Sequence, residues 1–377
     1  MATGSKGKKS GTKNKTVNNN NFEKWDKEFR NQNLFAFNND KNALLWLKVR
    51  AISKRIPMSK FLEQNNIQLN TTKISDQNKE LFSILETDIE KALNLLDAYL
   101  CDINNEWYRE MGVDEDALKS DLYHIDTYEW GGDQNNSLDK HLVSRFVKVI
   151  SKYEDLRSKQ TEIQANAWNY VRTSWYNNWT SYLIESIFKH HSKVISAVGE
   201  IKSVDFFIND IPVDLKVTFF PNQYMTNKLK SKLNGKSELS WLKQKAKENE
   251  IELGRSESAA VVSEKISAAG HDEILSELRN KRKEVIKDAQ NNKNDLIKWL
   301  YENQGEMRFG AENRLFLVLV DSSDLSQSWK MKRAFEQIEP VVNSYLDNFN
   351  NATLNKIDFS FKGKEYSSLA DVIFVVK

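Results

Sequence analysis

The chain has 377 residues, of which 40% are hydrophobic and 29% are charged, and its formal net charge at pH 7 is +2. This length and apolar content allow two or three packed units. No apolar run reaches the roughly 18 residues that a membrane-spanning helix needs, and the single cysteine, Cys101, excludes an internal disulfide. We therefore expect a globular, cytoplasmic protein with no membrane partner.

The first segment, residues 1–20, is predicted to be a disordered basic tail. It contains lysines and asparagines, no acidic residue and almost nothing apolar. Burial of apolar surface therefore cannot offset the conformational entropy that ordering would remove. The tail can be a solvated leader or a weak electrostatic contact for phosphate, and both interpretations remain open.

A helical N-terminal region is predicted for residues 21–160. Apolar residues recur three or four positions apart in the stretches 43–56, 79–100 and 140–156. This spacing is typical of helices that bury one face. A helix dense in tryptophan and tyrosine is predicted next, at 167–191, where the aromatic residues repeat at helical spacing and indicate core packing.

The rest of the chain alternates between strand and helix patterns. Strand-like apolar runs occur at 315–320 and 371–377, separated by a helical pattern. Residues 226–306 are rich in lysine and glutamate at helical spacing, and they interrupt the strand order as a helical insertion. We therefore predict an α/β core at 161–225 and 307–377, in which helices cover the faces of a mixed sheet.

Residues 204–218, with the sequence VDFFINDIPVDLKVT, read as a strand hairpin that carries charges among apolar residues. Successive side chains of a strand point to opposite faces. Alternation assigns Val204, Phe206, Ile208, Ile211, Val213, Leu215 and Val217 to one face, and Asp205, Asp214, Lys216 and Thr218 to the other. Charged side chains are thus expected together on one side of the hairpin.

The register of this hairpin follows from its turn. Asn209 and Asp210 both tolerate a positive φ, so they are suited to a two-residue turn. Counting outward from that turn places Asp205 directly opposite Asp214. Two carboxylates in that position repel each other, and a positive charge is expected between them.

A divalent metal ion would supply that charge. Mg²⁺ takes one or two protein carboxylates and completes its coordination with water and phosphate oxygens. Lys216 lies two residues after Asp214, so it shares the same face and can orient a water or contact a phosphate. The pattern therefore predicts metal-assisted hydrolysis of a phosphodiester, with Asp205 and Asp214 holding the metal.

These residues resemble the PD-(D/E)XK nuclease superfamily, the fold of many restriction endonucleases. Asp205 matches the acid of the first strand, although Val204 stands where the family often has proline. Asp214 and Lys216 match the acid-any-lysine element of the next strand, and Glu185 matches the glutamate of the preceding helix. The resemblance covers the core segments and implies a restriction-endonuclease-like mixed sheet flanked by helices.

What the resemblance implies is a Mg²⁺-dependent DNA endonuclease in which Mn²⁺ can replace Mg²⁺. Glu185 would be a further metal ligand and assist catalysis, with Glu200 as a competing acid. A type II restriction or phage-defence role is the usual one for such nucleases, and double-stranded DNA is the expected partner. Cleavage of both strands would call for a homodimer. The N-terminal helical region would then serve recognition or dimerisation.

Lysines that follow the hairpin are predicted to contact the DNA backbone, because the segment contains no acid. They are Lys228, Lys230, Lys232 and Lys236. Two alternatives remain open: a structure-specific repair or recombination nuclease, and a non-catalytic DNA-binding module on the same fold. In the second case Asp214 and Lys216 would be an ordinary charge pair on a solvated strand.

Overall fold

The computed structural model describes residues 20–132, 137–197, 201, 203–303, 312–350 and 352–377. The predicted basic tail, apart from Asn20, and Glu200 lie outside these ranges. Within them, no helix is both long enough and apolar enough to cross a membrane.

One six-stranded mixed sheet organises the described residues, in the strand order β1-β2-β3-β4-β6-β5. The strands are β1 (Val194–Ser196), β2 (Phe206–Ile208), β3 (Ile211–Phe219), β4 (Arg314–Val320), β5 (Asn355–Phe361) and β6 (Lys364–Val376). The first three strands form an antiparallel meander. Strand β4 runs parallel to β3 and to β6, and β5 returns antiparallel to β6. The protein is therefore of the mixed α/β class.

Fifteen α-helices surround this sheet in the described part of the chain. The N-terminal ones are α1 (Asn20–Arg30), α2 (Lys41–Ala51), α3 (Arg55–Gln64), α4 (Ile74–Leu85), α5 (Ile89–Met111), α6 (Glu115–Asp121), α7 (Leu138–Leu142) and α8 (Tyr153–Ser158). The later ones are α9 (Gln160–Lys189), α10 (Asn222–Lys232), α11 (Glu238–Glu248), α12 (Ala259–Ala268), α13 (Asp272–Asn291), α14 (Lys293–Asn303) and α15 (Phe335–Asp347). The helices α10–α14 form the predicted insertion between β3 and β4.

Alternation along β4 divides the core between the two faces of the sheet. Leu315 and Leu317 pack with α9 and α15 on one face, called here the α9 face. Phe316 and Val318 pack with the insertion helices on the other, called the insertion face. At the β1–β2 end of the sheet, Phe207 packs instead with the N-terminal helices. Three groups of helices thus cover different parts of the sheet.

The structure confirms most predicted elements and corrects their boundaries. Each of the three N-terminal stretches contains more than one element: α2 ends at Ala51 and α3 begins at Arg55 within 43–56, α4 and α5 share 79–100, and α7, a π-helical segment and α8 divide 140–156. The helical pattern predicted between 315–320 and 371–377, at 328–346, is split into a 3₁₀ segment, Leu325–Arg333, followed by α15. Strands β1 and β5 were not predicted, because β1 is only three residues long and the exposed face of β5 interrupts its apolar pattern.

Candidate active site at the open end of the hairpin

The predicted turn and the register next to it are confirmed. Asn209 and Asp210 have φ values of 46° and 68°, so both adopt the left-handed conformation that a tight hairpin turn requires. The strand pairs are Ile208 with Ile211, Phe207 with Pro212 and Phe206 with Val213. Turn chemistry and alternation were sufficient to fix this part of the fold.

The regular ladder ends before it reaches the two aspartates. The backbone N–H of Asp205 donates to the carbonyl of Val213 at 2.9 Å, although Val213 is already the partner of Phe206. Two residues therefore oppose one, which is the arrangement of a β-bulge. The extra residue moves Val204 into the N-terminal core with Phe207, so the prediction that it shares a face with Phe206 is wrong. Asp205 and Asp214 are not ladder partners.

Asp205 turns its carboxylate toward β3 instead. Its Oδ2 accepts a hydrogen bond from the backbone N–H of Leu215 at 2.7 Å. In a regular ladder this N–H would donate to a backbone carbonyl of the neighbouring strand instead. Burial and then the charge of Asp214 raise the pKa of Asp205 to about 6; the Leu215 amide opposes this. The charges of Glu185 and Lys189 also act on it, raising and lowering the pKa respectively. The bulge thus still brings the predicted acids together.

Asp214 lies on the insertion face and has a cationic neighbour that the sequence interpretation missed. Its strand partner is Arg314, whose Nε lies 3.3 Å from Asp214 Oδ2. Burial raises the pKa of Asp214, and Arg314 opposes that effect. Part of the expected positive charge is therefore supplied by the protein. The one sequence signal for it was the charged pair in ENR, directly before the apolar run of β4.

Arg314 is itself held by a buried acid. Its Nη2 lies 2.8 Å from Oε2 of Glu312, a residue with no exposed surface, and its guanidinium lies over the ring of Tyr301 at 5.4 Å. Among the described residues, Oε1 of Glu312 has no hydrogen-bond partner. Burial raises the pKa of Glu312, and Arg314 lowers it. Asp214 therefore lies beside a fixed pair of opposite charges.

Glu185, the predicted helical acid, points from α9 toward this site but has a partner. Lys189, one helical turn later, lies 2.7 Å from its Oε2. The Glu185 side chain is 36% exposed and that of Lys189 is 16% exposed. The pair is partly shielded from water, so opening it would leave Lys189, the more buried partner, without its acid.

Lys216 is exposed on β3, two residues after Asp214. Within the described residues it forms no ion pair, although its charge lowers the pKa of Asp214. A second lysine, Lys332 of the 3₁₀ segment, lies near it and donates to Oδ1 of Asn177 at 2.8 Å. Burial and then the charge of Lys216 lower the pKa of Lys332 to about 8. Sequence reasoning missed Lys332, which lies 116 positions after Lys216.

The lysines predicted to contact DNA differ in their surroundings. Lys228 lies 2.7 Å from Asp295, and Lys232 lies 2.8 Å from Asp288. Lys236 donates to Gln244. Lys230 is exposed and is the member of this set without a partner among the described residues. Most of the set is therefore tied to the insertion, and the prediction that it contacts DNA remains a prediction.

The site can supply two carboxylates to a metal ion, but not a preformed cage. Among the described residues, no group of three or more His, Cys, Asp or Glu side chains is arranged to hold one. Asp205 and Asp214 nevertheless offer the one or two carboxylates that Mg²⁺ takes from proteins. The chain matches no protein-family model, and no curated protein or solved structure matches it.

Proposed function

We propose that the protein is a Mg²⁺-dependent DNA endonuclease with a restriction-endonuclease-like core. The observation that carries the proposal is the state of Asp205. Its carboxylate is half-buried and lies close enough to Asp214 for that charge to raise its pKa. No Lys or Arg among the described residues forms an ion pair with it. A half-buried carboxylate beside a second carboxylate, without a cationic partner, favours the binding of a cation at that place.

Asp205 and Asp214 fit a hard divalent cation in number and in chemistry. When bound, the metal would acidify a water and neutralise charge that develops on a phosphodiester. Neighbouring protein groups hold the two carboxylates in position and favour their ionised form for metal binding. The Leu215 amide fixes the Asp205 carboxylate, and Arg314 favours the ionised form of Asp214.

Lys216 is the residue that we assign to the attacking water and the phosphate. It is exposed, it lies two residues from Asp214, and its ammonium forms no ion pair in the described part of the chain. An ammonium donates hydrogen bonds and adds positive charge where the transition state becomes more negative. Glu185 assists from α9 once its ion pair with Lys189 opens.

The resemblance of the hairpin to PD-(D/E)XK nucleases supports DNA as the substrate, and it makes restriction or phage defence the proposed setting. One site cuts one strand, so double-strand cleavage requires two copies of the chain. We therefore propose a homodimer on duplex DNA, with Mn²⁺ able to replace Mg²⁺.

The test is cleavage of supercoiled plasmid with Mg²⁺, with Mn²⁺ and with EDTA. We expect the wild type to nick or linearise the plasmid only with metal. Asp214→Asn and Lys216→Gln are each expected to slow cleavage at least about 100-fold, because each removes a group that acts on the transition state. The matched control is Asp116→Asn, which changes an acid that is 96% exposed and should cleave at the wild-type rate.

A non-catalytic DNA-binding module is the second candidate, and the Asp214–Arg314 ion pair favours it because Asp214 then has a structural partner. If the wild type leaves plasmid, flap and junction DNA intact with either metal, the nuclease proposal is wrong. Cleavage confined to flaps or junctions would instead identify a repair or recombination nuclease. Equal cleavage by the wild type and both variants would place the catalytic residues elsewhere.

A further inference from the structure

Lys332 is a partly buried cation that has no acidic partner among the described residues. Burial is the first cause of its lowered pKa, and its Nζ donates to Asn177 Oδ1 at 2.8 Å. The hydroxyl of Tyr128 donates to the same oxygen at 2.6 Å, and the ring of Phe219 lies 5.6 Å from the ammonium. Within the described residues no carboxylate forms an ion pair with it. A neutral amide offsets only part of the cost of burying an ammonium.

The charge that acts on the pKa of Lys332 is of the same sign. Lys216 acts on it strongly enough to lower its pKa further, and Lys216 also lacks an acidic partner in the described part of the chain. Two like charges that approach each other without a counter-ion destabilise the protein. An anion bound between them would remove the repulsion and satisfy both donors.

Both lysines lie beside β3, and one edge of this strand is open. Lys216 is exposed on the strand, and Lys332 lies over the ring of Phe219 at its end. Strand β2 pairs with β3 only as far as Val213, while β4 covers the other side of β3 from Asp214 to Phe219. Lys216 lies about 7 Å along the strand from Asp214, at a rise of about 3.4 Å per residue. One extended polyanion can therefore contact the lysines and lie across the carboxylates at the same time.

We propose that Lys332 and Lys216 form a phosphate-binding subsite that holds the DNA backbone along the open edge of β3. This inference rests on the proposed function and identifies which charges of the protein hold the substrate. It places the main contact at a residue of the 3₁₀ segment rather than in the lysines of α10, two of which are neutralised by Asp295 and Asp288.

The test measures DNA binding without metal, so that it does not depend on cleavage. A fluorescently labelled duplex is titrated with the full-length protein in EDTA at several KCl concentrations, and anisotropy gives the dissociation constant. We expect Lys332→Gln to weaken binding about 5- to 10-fold and to lower the slope of log K against log salt by about 1, as the loss of one phosphate contact does. Lys332→Arg keeps the charge and should bind like the wild type.

The matched control is Lys245→Gln, a lysine of the insertion that pairs with Glu248 at 3.4 Å and should leave both affinity and slope unchanged. Circular dichroism of each variant reports whether it is folded. Asp214→Asn, which removes a negative charge from the edge, should bind at least as tightly as the wild type.

The wild type alone offers a second measurement. Two titratable groups face Lys332: the ammonium of Lys216 and, across Asn177, the hydroxyl of Tyr128. Burial raises the pKa of Tyr128 above its usual value. Lys332 has a pKa of about 8, so DNA affinity should fall as the pH rises from 7 to 9. The Lys332→Arg variant, which keeps its charge over this range, should lack that fall.

The inference is overturned if Lys332→Gln is folded and binds with the affinity and salt slope of the wild type, or if the wild type binds no duplex at low salt. It is also overturned if the fall in affinity between pH 7 and 9 persists in Lys332→Arg. Metal-dependent cleavage that Asp214→Asn abolishes would leave the proposed function standing in the first and third of these cases.

Discussion

Two lysines that the protein shields from water, one fully and one in part, have opposite surroundings. Lys48 of α2 has no exposed side-chain surface, and its Nζ lies 2.5 Å from Asp97 and 2.7 Å from Asp210. Lys332 of the 3₁₀ segment is partly buried. It has the amide oxygen of Asn177 and no carboxylate as a partner among the described residues. One charge is neutralised within the protein, and the other is not.

The difference separates a structural role from a binding role. Lys48 joins α2 and α5 to the hairpin turn, since Asp97 lies on α5 and Asp210 is the second residue of the turn. It also lies over the ring of Phe207, 5.5 Å from its centre. A lysine that is fully paired holds elements together, whereas one that lacks a counter-ion beside an open strand edge is suited to an external anion.

Replacing Lys48 should give the largest change in stability. Lys48→Met keeps the apolar stem but leaves Asp97 and Asp210 without a cation, and burial already raises the pKa of Asp97. We expect a loss of about 3 kcal/mol in the free energy of unfolding, near the lower end for breaking a buried ion pair because Asp210 is partly exposed. Urea denaturation monitored by tryptophan fluorescence measures the change.

The control for this variant is the double replacement Lys48→Met with Asp97→Asn, which removes the uncompensated acid along with the base. It should recover part of the lost stability, because Asp97 and Lys48 interact directly. If Lys48→Met unfolds at the wild-type urea concentration, the contrast between the two lysines has no energetic basis.

The hairpin shows what local sequence determines. The turn at Asn209 and Asp210 and three strand pairs were predicted correctly, because turn residues and alternation act over a few neighbouring positions. The bulge at Asp205 was not predicted. It arises where β2 meets the N-terminal helices, and packing of Val204 into their core depends on residues more than 100 positions away.

Charge partners from other elements could not be predicted from the sequence either, because they are also distant along the chain. Arg314 becomes the neighbour of Asp214 only when β4 aligns with β3, after an insertion of five helices. Lys48 looked like an ordinary helical lysine, yet α2 is buried on nearly every side. The acids and the lysine of the motif could be predicted because the motif is local, whereas the groups that tune them come from other elements.

Replacing Lys332 should have the opposite effect on stability to replacing Lys48. The pKa of Lys332 is lowered from 10.5 to about 8, so the unfolded chain binds more protons between these values and stability rises with pH across this window. Below pH 8 the full cost of the buried charge is present. Lys332→Met should therefore be more stable than the wild type at pH 7, by about 2 kcal/mol after allowing for solvent access.

The stability gap between Lys332→Met and the wild type should close as the pH rises toward 10.5. Denaturation at pH 7, 8.5 and 10 measures this convergence, and comparison with Lys245→Gln removes effects common to all lysine replacements. A variant less stable than the wild type at pH 7 would show that Lys332, like Lys48, has a structural role.

Asp205 gives a smaller test, with a negative charge, of the same distinction between a charge that is paired within the protein and one that is not. Its folded-state pKa is raised from 3.8 to about 6, so the folded protein binds more protons in that window and loses stability as the pH rises through it. Asp205→Asn retains an oxygen for the Leu215 amide and removes the charge. It should be more stable than the wild type by about 1 kcal/mol at pH 7.5, with little difference at pH 4.5.

Added Mg²⁺ tests whether Asp205 belongs to a site that binds a cation. A ligand stabilises the folded state that binds it, so added Mg²⁺ should raise the urea midpoint of the wild type at pH 7.5 and leave that of Asp205→Asn nearly unchanged. No nucleic acid is present, so the shift in the midpoint reports binding of the metal and not hydrolysis. If Asp205→Asn is instead destabilised at pH 7.5 and Mg²⁺ affects both proteins equally, Asp205 serves to cap the Leu215 amide, and its charge is compensated like that of Lys48.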